Sequence, residues 1–180
     1  MMKFENWSRG DYLISTDPAL LQVDATNAAL GSDMVWWAGD LPVDALKRAL
    51  DGSLCFGLYQ KAPGDSDTNE SCATTLQIPQ NYCTPLKQIG LVRVITDGVT
   101  FAYLTDVYIL EGQQGTGLGR WLLEIMNKKL QAWPHLRRAM LLTTNKMPLF
   151  ANSLGMKDYR ELDGMKGVSI AMVEGPGAQH

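Results

Sequence analysis

The chain has 180 residues, 46% of them hydrophobic and 19% charged, which is typical of one globular domain with a sizeable core. A formal net charge of −3 argues against a nucleic-acid-binding surface, and no apolar run is long enough to span a bilayer. The N-terminus lacks the apolar core of a secretion signal. We therefore expect a cytoplasmic protein in which Cys55, Cys72 and Cys83 are reduced thiols.

The first third of the chain predicts two strands and two helices. Asp17 is a suitable N-cap, and Pro18 fits the first turn of the helix that follows. Gly52 is a suitable stop for the second helix. The predicted elements are a strand at 12–15, a helix from about 18 to 29, a helix at 42–50 and a strand at 53–59.

The composition changes at residues 61–86, which are rich in Pro, Ser, Asp and Asn and show little periodicity. We interpret this stretch as an exposed hairpin insertion within one domain. A strand at 88–95 and a long strand at 100–110 follow, joined by a hairpin turn at Asp97-Gly98. The second of these strands is long enough that we expect a bend or a bulge midway along it.

A glycine-rich turn leads from this strand into an amphipathic helix. Apolar residues recur at helical spacing from Leu118 to Trp133, and glycines stand at 112, 115, 117 and 119. A turn between a strand and a helix leaves the first helical amides unpaired, and with the helix dipole they attract phosphate. Glycine lets the backbone approach such an anion closely. The turn is therefore predicted to bind a phosphate group.

The remaining residues predict three further elements and a frayed tail from about 174. A strand is expected at 139–143 and a helix at 147–153, with Gly155 as its C-cap. A final hairpin is expected from residues 159–162 and 168–172 across Asp163-Gly164.

Two common phosphate loops are excluded by the sequence of this turn. The Walker pattern requires Gly-Lys-Ser/Thr, whereas the turn ends in Gly119-Arg120-Trp121. The dinucleotide fingerprint spaces its glycines differently from Gly115, Gly117 and Gly119. The string from Gln114 to Gly119 instead resembles the pyrophosphate loop, Gln/Arg-x-x-Gly-x-Gly/Ala, of the GNAT superfamily of N-acetyltransferases. The order of the predicted elements is similar to that family over nearly the whole chain.

The resemblance implies an α/β (α+β) fold in a single domain spanning residues 1–180. In the family, about four helices flank a mixed, mostly antiparallel sheet of about seven strands, and the fourth and fifth strands splay apart. Acetyl-CoA is the implied cosubstrate, with no metal, and the implied acceptor is a primary amine of a small molecule or peptide. Family members often dimerise, so a homodimer is a possible assembly; no nucleic-acid or membrane partner is implied.

The implied cofactor site consists of the strand before the turn, the turn itself and two later positions. Pantetheine would pair with the strand, and a free backbone N–H near Tyr108 or Ile109 would polarise the thioester carbonyl. The cofactor-binding residues implied by the resemblance are Val107, Tyr108, Ile109, Leu110, Gln114, Gly115, Thr116, Gly117, Leu118, Gly119, Arg120, Thr144 and Phe150.

The general base is left open between two acids, Asp106 and Glu111. Asp106 lies inside an apolar strand, where it is either a base or a hydrogen-bonded structural acid that stabilises the bend. Glu111 is expected to be simply solvated. Trp36 and Trp37 lie where the family builds its acceptor wall, and Tyr103 is a further candidate for that wall. Core packing is the alternative for all three aromatic residues.

The sequence departs from the family pattern at the general acid. Many GNAT enzymes place a tyrosine four residues before the glycine of their Gly-Phe ending, and here Ala151 stands at that place. Water or another residue, such as Tyr159, would then protonate the thiolate. The alternative is a domain that binds coenzyme A, transfers acetyl groups weakly or not at all, and acts as a sensor or partner-binding module.

Overall fold

The computed structural model of the protein describes residues 4–35, 38–62 and 85–173. A six-stranded sheet lies at its centre, and its strands are arranged in chain order. The first five strands pair antiparallel, and the sixth joins the fifth in parallel. The strands are β1 (Asn6–Arg9), β2 (Tyr12–Ser15), β3 (Leu54–Lys61), β4 (Leu86–Thr96), β5 (Phe101–Ile109) and β6 (Arg138–Leu141).

Two pairs of helices cover the two faces of this sheet: α1 (Val23–Leu30) with α2 (Val43–Asp51), and α3 (Leu118–Gln131) with α4 (Met147–Leu154). Leu122 and Met126 of α3 are fully buried in one core cluster together with Phe56 of β3. Leu46 and Leu50 of α2 are buried in a second cluster on the other face. Because successive strand side chains point to opposite faces, one central sheet supplies both clusters.

The N-terminal region differs from its prediction in two places. Asn6–Arg9 forms β1, which the sequence did not predict because this polar stretch has no alternation of its own; it pairs with β2 across Gly10. The predicted first helix is divided. Asp17 caps only a 3₁₀ turn, Pro18–Leu20, by accepting a hydrogen bond of 2.9 Å from the amide of Ala19. The α-helix begins after this turn.

The predicted second helix, its stop at Gly52, and the strands on either side of the Asp97-Gly98 turn are confirmed. The predicted bulge in the long strand is also confirmed, because the register between β4 and β5 shifts between Leu91 and Arg93. The fourth predicted helix is α4, and Gly155 follows it with a φ of 66°.

The predicted final hairpin is wrong, and within the described residues the sheet has six strands where about seven were expected. Tyr159–Glu161 and Asp163–Met165 form 3₁₀ turns. The apolar side chains of Val168, Ile170 and Met172 alternate as a strand would, yet they are exposed and belong to no strand of the described chain. Alternation alone does not make a strand, since a strand also needs a partner edge.

The two ends of the predicted insertion lie at the base of the β3–β4 connection. There the amide of Ala62 donates to the carbonyl of Pro85 over 2.9 Å. Residues 63–84 of the predicted insertion, which include Cys72 and Cys83, lie outside the described residues. Trp36, Trp37 and the tail from residue 174 lie outside them as well.

Candidate functional site

β5 and β6 separate part-way along β5. They are paired from Phe101 and Arg138 as far as Leu104 and Leu141, but β5 continues to Ile109. Over this last part of β5, no strand within the described ranges pairs with the edge that faces away from β4. The splay that was predicted between the fourth and fifth strands is therefore confirmed at β5 and β6. We call this opening the fork.

Backbone amides of β5 point into the fork. The amide of Leu110 donates to the carbonyl of Ile89 in β4 over 2.9 Å, which fixes the alternation of this edge. Because successive amides point to opposite edges, the N–H groups of Ile109 and Val107 face the fork, and that of Tyr108 faces β4. The geometry therefore favours Ile109 or Val107 over Tyr108 as the free donor expected from the sequence.

The turn between β5 and α3 presents a row of unpaired amides. From Gly115 to Arg120, no backbone N–H donates to an acceptor in residues 4–35, 38–62 or 85–173. Gly115 and Gly117 have φ of 77° and 82°, and apart from its two chain neighbours no described residue has an atom within 4 Å of the place where either would carry a Cβ. The N-terminus of α3 adds the positive end of its dipole. This arrangement suits an anion with several oxygens.

The side chain of Gln114 fixes the turn to its surroundings. Its Nε2 donates to the carbonyl of Ile109 over 2.8 Å and lies 3.7 Å from the sulfur of Met34, which precedes α2. Gly119 lets α3 begin directly against β5, since a Cβ there would lie 3.4 Å from the Ile109 side chain. The turn is thus held open by contacts that leave its amides free.

The side chain of Tyr108 lies in the core and not in the fork. Its hydroxyl accepts a hydrogen bond of 3.1 Å from Nε2 of Gln88, which also donates to the hydroxyl of Thr26 over 2.8 Å. Burial raises the pKa of Tyr108. These bonds tie α1 to β4 and to β5, the strand whose backbone faces the fork.

Tyr103, by contrast, is half-buried close to the fork. It stands opposite Ile95 of β4 and beside Met140 of β6, one residue before the last pair between β5 and β6. Its position suits the predicted acceptor wall, whereas the other two candidates for that wall, Trp36 and Trp37, lie outside the described residues.

Asp106 is held in an ion pair that the sequence analysis missed. Nε of Arg93 lies 2.5 Å from Oδ2 of Asp106, and the two side chains are 17% and 9% exposed. The hydroxyl of Thr105 donates to the other carboxylate oxygen over 3.2 Å. A lone cation in the apolar strand at 88–95 and a lone acid in the next strand were the available signal. The geometry supports the structural role of Asp106, and its role as a base stays a prediction.

The other candidates are scattered. Glu111 is exposed at the start of a 3₁₀ turn, and Thr144 is exposed beyond the end of β6. Phe150 is buried in the core cluster beneath α3, so its ring packs inside the protein. Ala151 is exposed on α4, while Tyr159 is half-buried with the guanidinium of Arg160 5.9 Å from its ring.

Two absences can be stated for the residues that the structure describes. No cluster of His, Cys, Asp or Glu that could hold a metal ion occurs among them. None of their helices is both long enough and apolar enough to span a membrane.

Comparison with known proteins decides the family. The chain is 68% identical over 178 residues to a Gibberella zeae protein named "Putative acetyltransferase", covering 99% of this chain and 97% of that protein. A Xanthomonas campestris acetyltransferase, also named as putative and as belonging to the GNAT family, has a similar structure, with a TM-score of 0.61 and 28% identity over 90% and 93% of the chains. The chain belongs to the GNAT family of acetyltransferases. A Streptococcus pneumoniae GNAT protein, 17% identical over 98% and 99% of the chains, has the same fold with a TM-score of 0.52. No family model matches the sequence.

As a GNAT acetyltransferase the protein is a transferase, and its family uses acetyl-CoA as cosubstrate. The turn fits the diphosphate of that molecule, since a run of free amides surrounds glycines that no atom crowds. The unpaired edge of β5 fits an extended chain that carries amide groups.

Proposed function

We propose that this GNAT protein is an acetyl-CoA-dependent N-acetyltransferase that acts on a primary amine of a small molecule or peptide by direct attack in a ternary complex. The observation that carries the proposal is the run of unpaired amides from Gly115 to Arg120 at the N-terminus of α3. Such a run binds the oxygens of a diphosphate without any basic side chain.

Acetyl-CoA supplies an acetyl group activated as a thioester. The amides of Gly115, Thr116, Gly117, Leu118, Gly119 and Arg120 would hold the diphosphate. The fork-facing edge of β5 between Val107 and Leu110 would pair with the pantetheine arm as an added strand does. Gln114 supports this assignment, because it fixes the turn to the end of that edge.

A backbone amide of β5 would polarise the thioester carbonyl. Ile109 and Val107 are the candidates, because their N–H groups face the fork while that of Tyr108 faces β4. A fixed amide in a site shielded from water stabilises developing charge on oxygen, because no reorganisation is needed.

The acceptor amine would enter on the face of the sheet that carries Tyr103, with Trp36 and Trp37 as further candidates for its wall. The amine must lose a proton before or during attack. Both carboxylate oxygens of Asp106 are already engaged, whereas Glu111 is exposed. A water molecule at the fork would therefore accept the proton of the amine at least as well as either side chain.

Coenzyme A binding tests the cofactor part of the proposal. At about one hundred times its dissociation constant, coenzyme A should add roughly 2.7 kcal/mol of stability and raise Tm by roughly 5–10 °C. Pantetheine lacks the diphosphate and is the matched control, so calorimetry should detect much weaker binding. Equal binding of the two, or none, would reject the assignment of the turn.

Thiol release with a panel of amines tests the transfer. The alternative, a coenzyme A-binding module with weak or lost transfer, is motivated by Ala151, which is exposed on α4 at the place where many GNAT enzymes have a tyrosine. It predicts binding without thiol release, and gain of release in Ala151→Tyr. Turnover of the unmodified protein on any amine would reject the alternative.

A further inference from the structure

The backbone of β5 has an unusual conformation at one residue. Asp106 has a φ of 48° and is the one non-glycine residue with a positive φ among those that the structure describes. This left-handed region is accessible to glycine and, among other residues, mainly to asparagine and aspartate. A residue other than these at position 106 would be strained.

The same residue lies where the pairing of β5 slips. Leu91 of β4 pairs with Tyr108 and Arg93 pairs with Thr105, so Val92 alone stands opposite two residues of β5. This is a β-bulge, and it begins two residues after Leu104, the last residue of β5 that pairs with β6. The bulge therefore lies at the start of the fork.

The bulge reverses the alternation of β5. Before it, Ala102 and Leu104 are buried in the core cluster beneath α3; after it, Val107 and Ile109 pack against that cluster. Tyr108 belongs to the cluster on the opposite face. A one-residue slip changes which side chains face each layer and which amides face each edge.

The ion pair to Arg93 holds the bulge against β4. Arg93 stands opposite Thr105, so its guanidinium reaches across one residue to the carboxylate of Asp106. Nη1 of the same guanidinium donates to the hydroxyl of Ser53, which directly precedes β3, over 3.4 Å. The bulge is thus fastened to the neighbouring strand and to the region beyond it.

We infer that Asp106 is a positioning residue: together with Arg93 it holds β5 in the bulge that opens the fork and turns the amides of Val107 and Ile109 towards the bound cofactor. The inference rests on the proposed function, because these amides are proposed there to bind acetyl-CoA. A positioning residue and a general base place different requirements on the side chain at position 106. A positioning residue must tolerate a positive φ and accept from Arg93, whereas a base must carry a carboxylate.

Three variants separate these roles. Asp106→Asn keeps the tolerance of positive φ and an oxygen that can accept from Arg93. Asp106→Gly keeps the tolerance alone, and Asp106→Ala keeps neither. Thr105→Gly and Thr105→Ala are matched controls at the neighbouring residue, which lacks a positive φ. Each variant is measured for coenzyme A affinity by calorimetry, for kcat and KM, and for folding by circular dichroism.

Asp106→Asn should keep the coenzyme A affinity within about threefold, Asp106→Ala should lose about tenfold or more, and Asp106→Gly should lie between them. At Thr105 glycine should be no better than alanine. If Asp106→Ala does not fold, the asparagine variant decides. The inference is overturned if Asp106→Asn keeps its affinity for coenzyme A while its kcat falls by about 100-fold or more, as loss of a base would cause. Failure of the unmodified protein to bind coenzyme A would overturn the proposed function and this inference together.

Discussion

At the scale of single residues, Gly117 combines three features of the proposed diphosphate site. It has a φ of 82°, lies at the N-cap of α3, and belongs to the run of free amides. We predict that Gly117→Ala weakens coenzyme A binding by about tenfold or more, because a residue with a Cβ is strained in the left-handed region and the turn would have to change its conformation.

Gly112→Ala is the matched control for this substitution. Gly112 lies in the same connection, has no atom within 4 Å of its missing Cβ, and does not have a positive φ. Its substitution should leave the affinity for coenzyme A unchanged in calorimetry. Equal losses at the two glycines would contradict the assignment of the diphosphate to the turn.

A second prediction at the scale of single residues concerns the buried hydroxyl of Tyr59. Its ring fills the place where Gly57 lacks a side chain, and the hydroxyl is the atom nearest to the ideal Cβ position. The hydroxyl is buried and has no hydrogen-bond partner within the described part of the chain, and burial raises the pKa of Tyr59. We predict that Tyr59→Phe leaves stability unchanged or raises it by up to about 1 kcal/mol. Denaturant unfolding measures this, and a loss above about 1 kcal/mol would reveal a partner such as an internal water.

At the scale of elements, the β4–β5 hairpin depends on the carboxylate of Asp97. The Thr100 hydroxyl, followed by the amides of Val99, Thr100 and Phe101, holds the pKa of Asp97 well below its usual range. A carboxylate with a lowered pKa stabilises the fold above its unfolded pKa, and that contribution is lost as the pH falls towards the folded value.

We therefore predict that Asp97→Asn lowers Tm at neutral pH and that the difference from the unmodified protein shrinks below about pH 4. Thermal melts between pH 7 and pH 2 measure the difference. The exposed Asp163→Asn is the control and should show a much smaller effect. A difference that grows on acidification would contradict the role given to the Asp97 carboxylate.

The elements also show what could be predicted from the sequence. Strong local signals succeeded: the Asp97-Gly98 turn, the stop at Gly52, and the apolar spacing of α3. β1 could not be predicted, since its residues join the sheet only through pairing with β2. The final hairpin had the right alternation but forms no strand among the residues that the structure describes. Local signals thus fail where pairing with another strand decides whether a segment becomes a strand.

The candidate site divides along the same line. The glycine turn was predictable because its conformation and its free amides follow from nearby residues. The pairing of Arg93 with Asp106 was not, because it depends on the register between two strands. The choice of Ile109 or Val107 over Tyr108 as the fork-facing amide also depends on that register. The register depends on pairing across the whole sheet, so it cannot be inferred from the residues of one strand.

At the scale of the whole molecule, the sheet is buried between two helical layers. Cys55 lies in the layer beneath α2, and burial raises the pKa of its thiol to about 12. The thiol is therefore neutral and shielded at physiological pH. Its reactivity should follow the cooperative opening of the entire domain.

We predict that, in a Cys72→Ser/Cys83→Ser variant, Cys55 reacts with an alkylating reagent only through global unfolding. The free energy of opening from labelling rates should equal that from denaturant unfolding, because Cys55 is buried between the central sheet and α2. The same variant in denaturant, where labelling should be complete, is the control. Rapid labelling under native conditions would mean that α2 separates from the sheet by itself.

The hydrogen bond between Ala62 and Pro85 joins the residue that follows β3 to the residue that precedes β4. Since these two residues already meet, the number of residues between them has only a logarithmic effect on the entropy of closure. Replacing 63–84 with a short turn, or grafting a foreign peptide there, should therefore leave the folded enzyme intact. This connection is therefore a suitable insertion site for epitope tags, fluorescent reporters or biotin acceptor sequences.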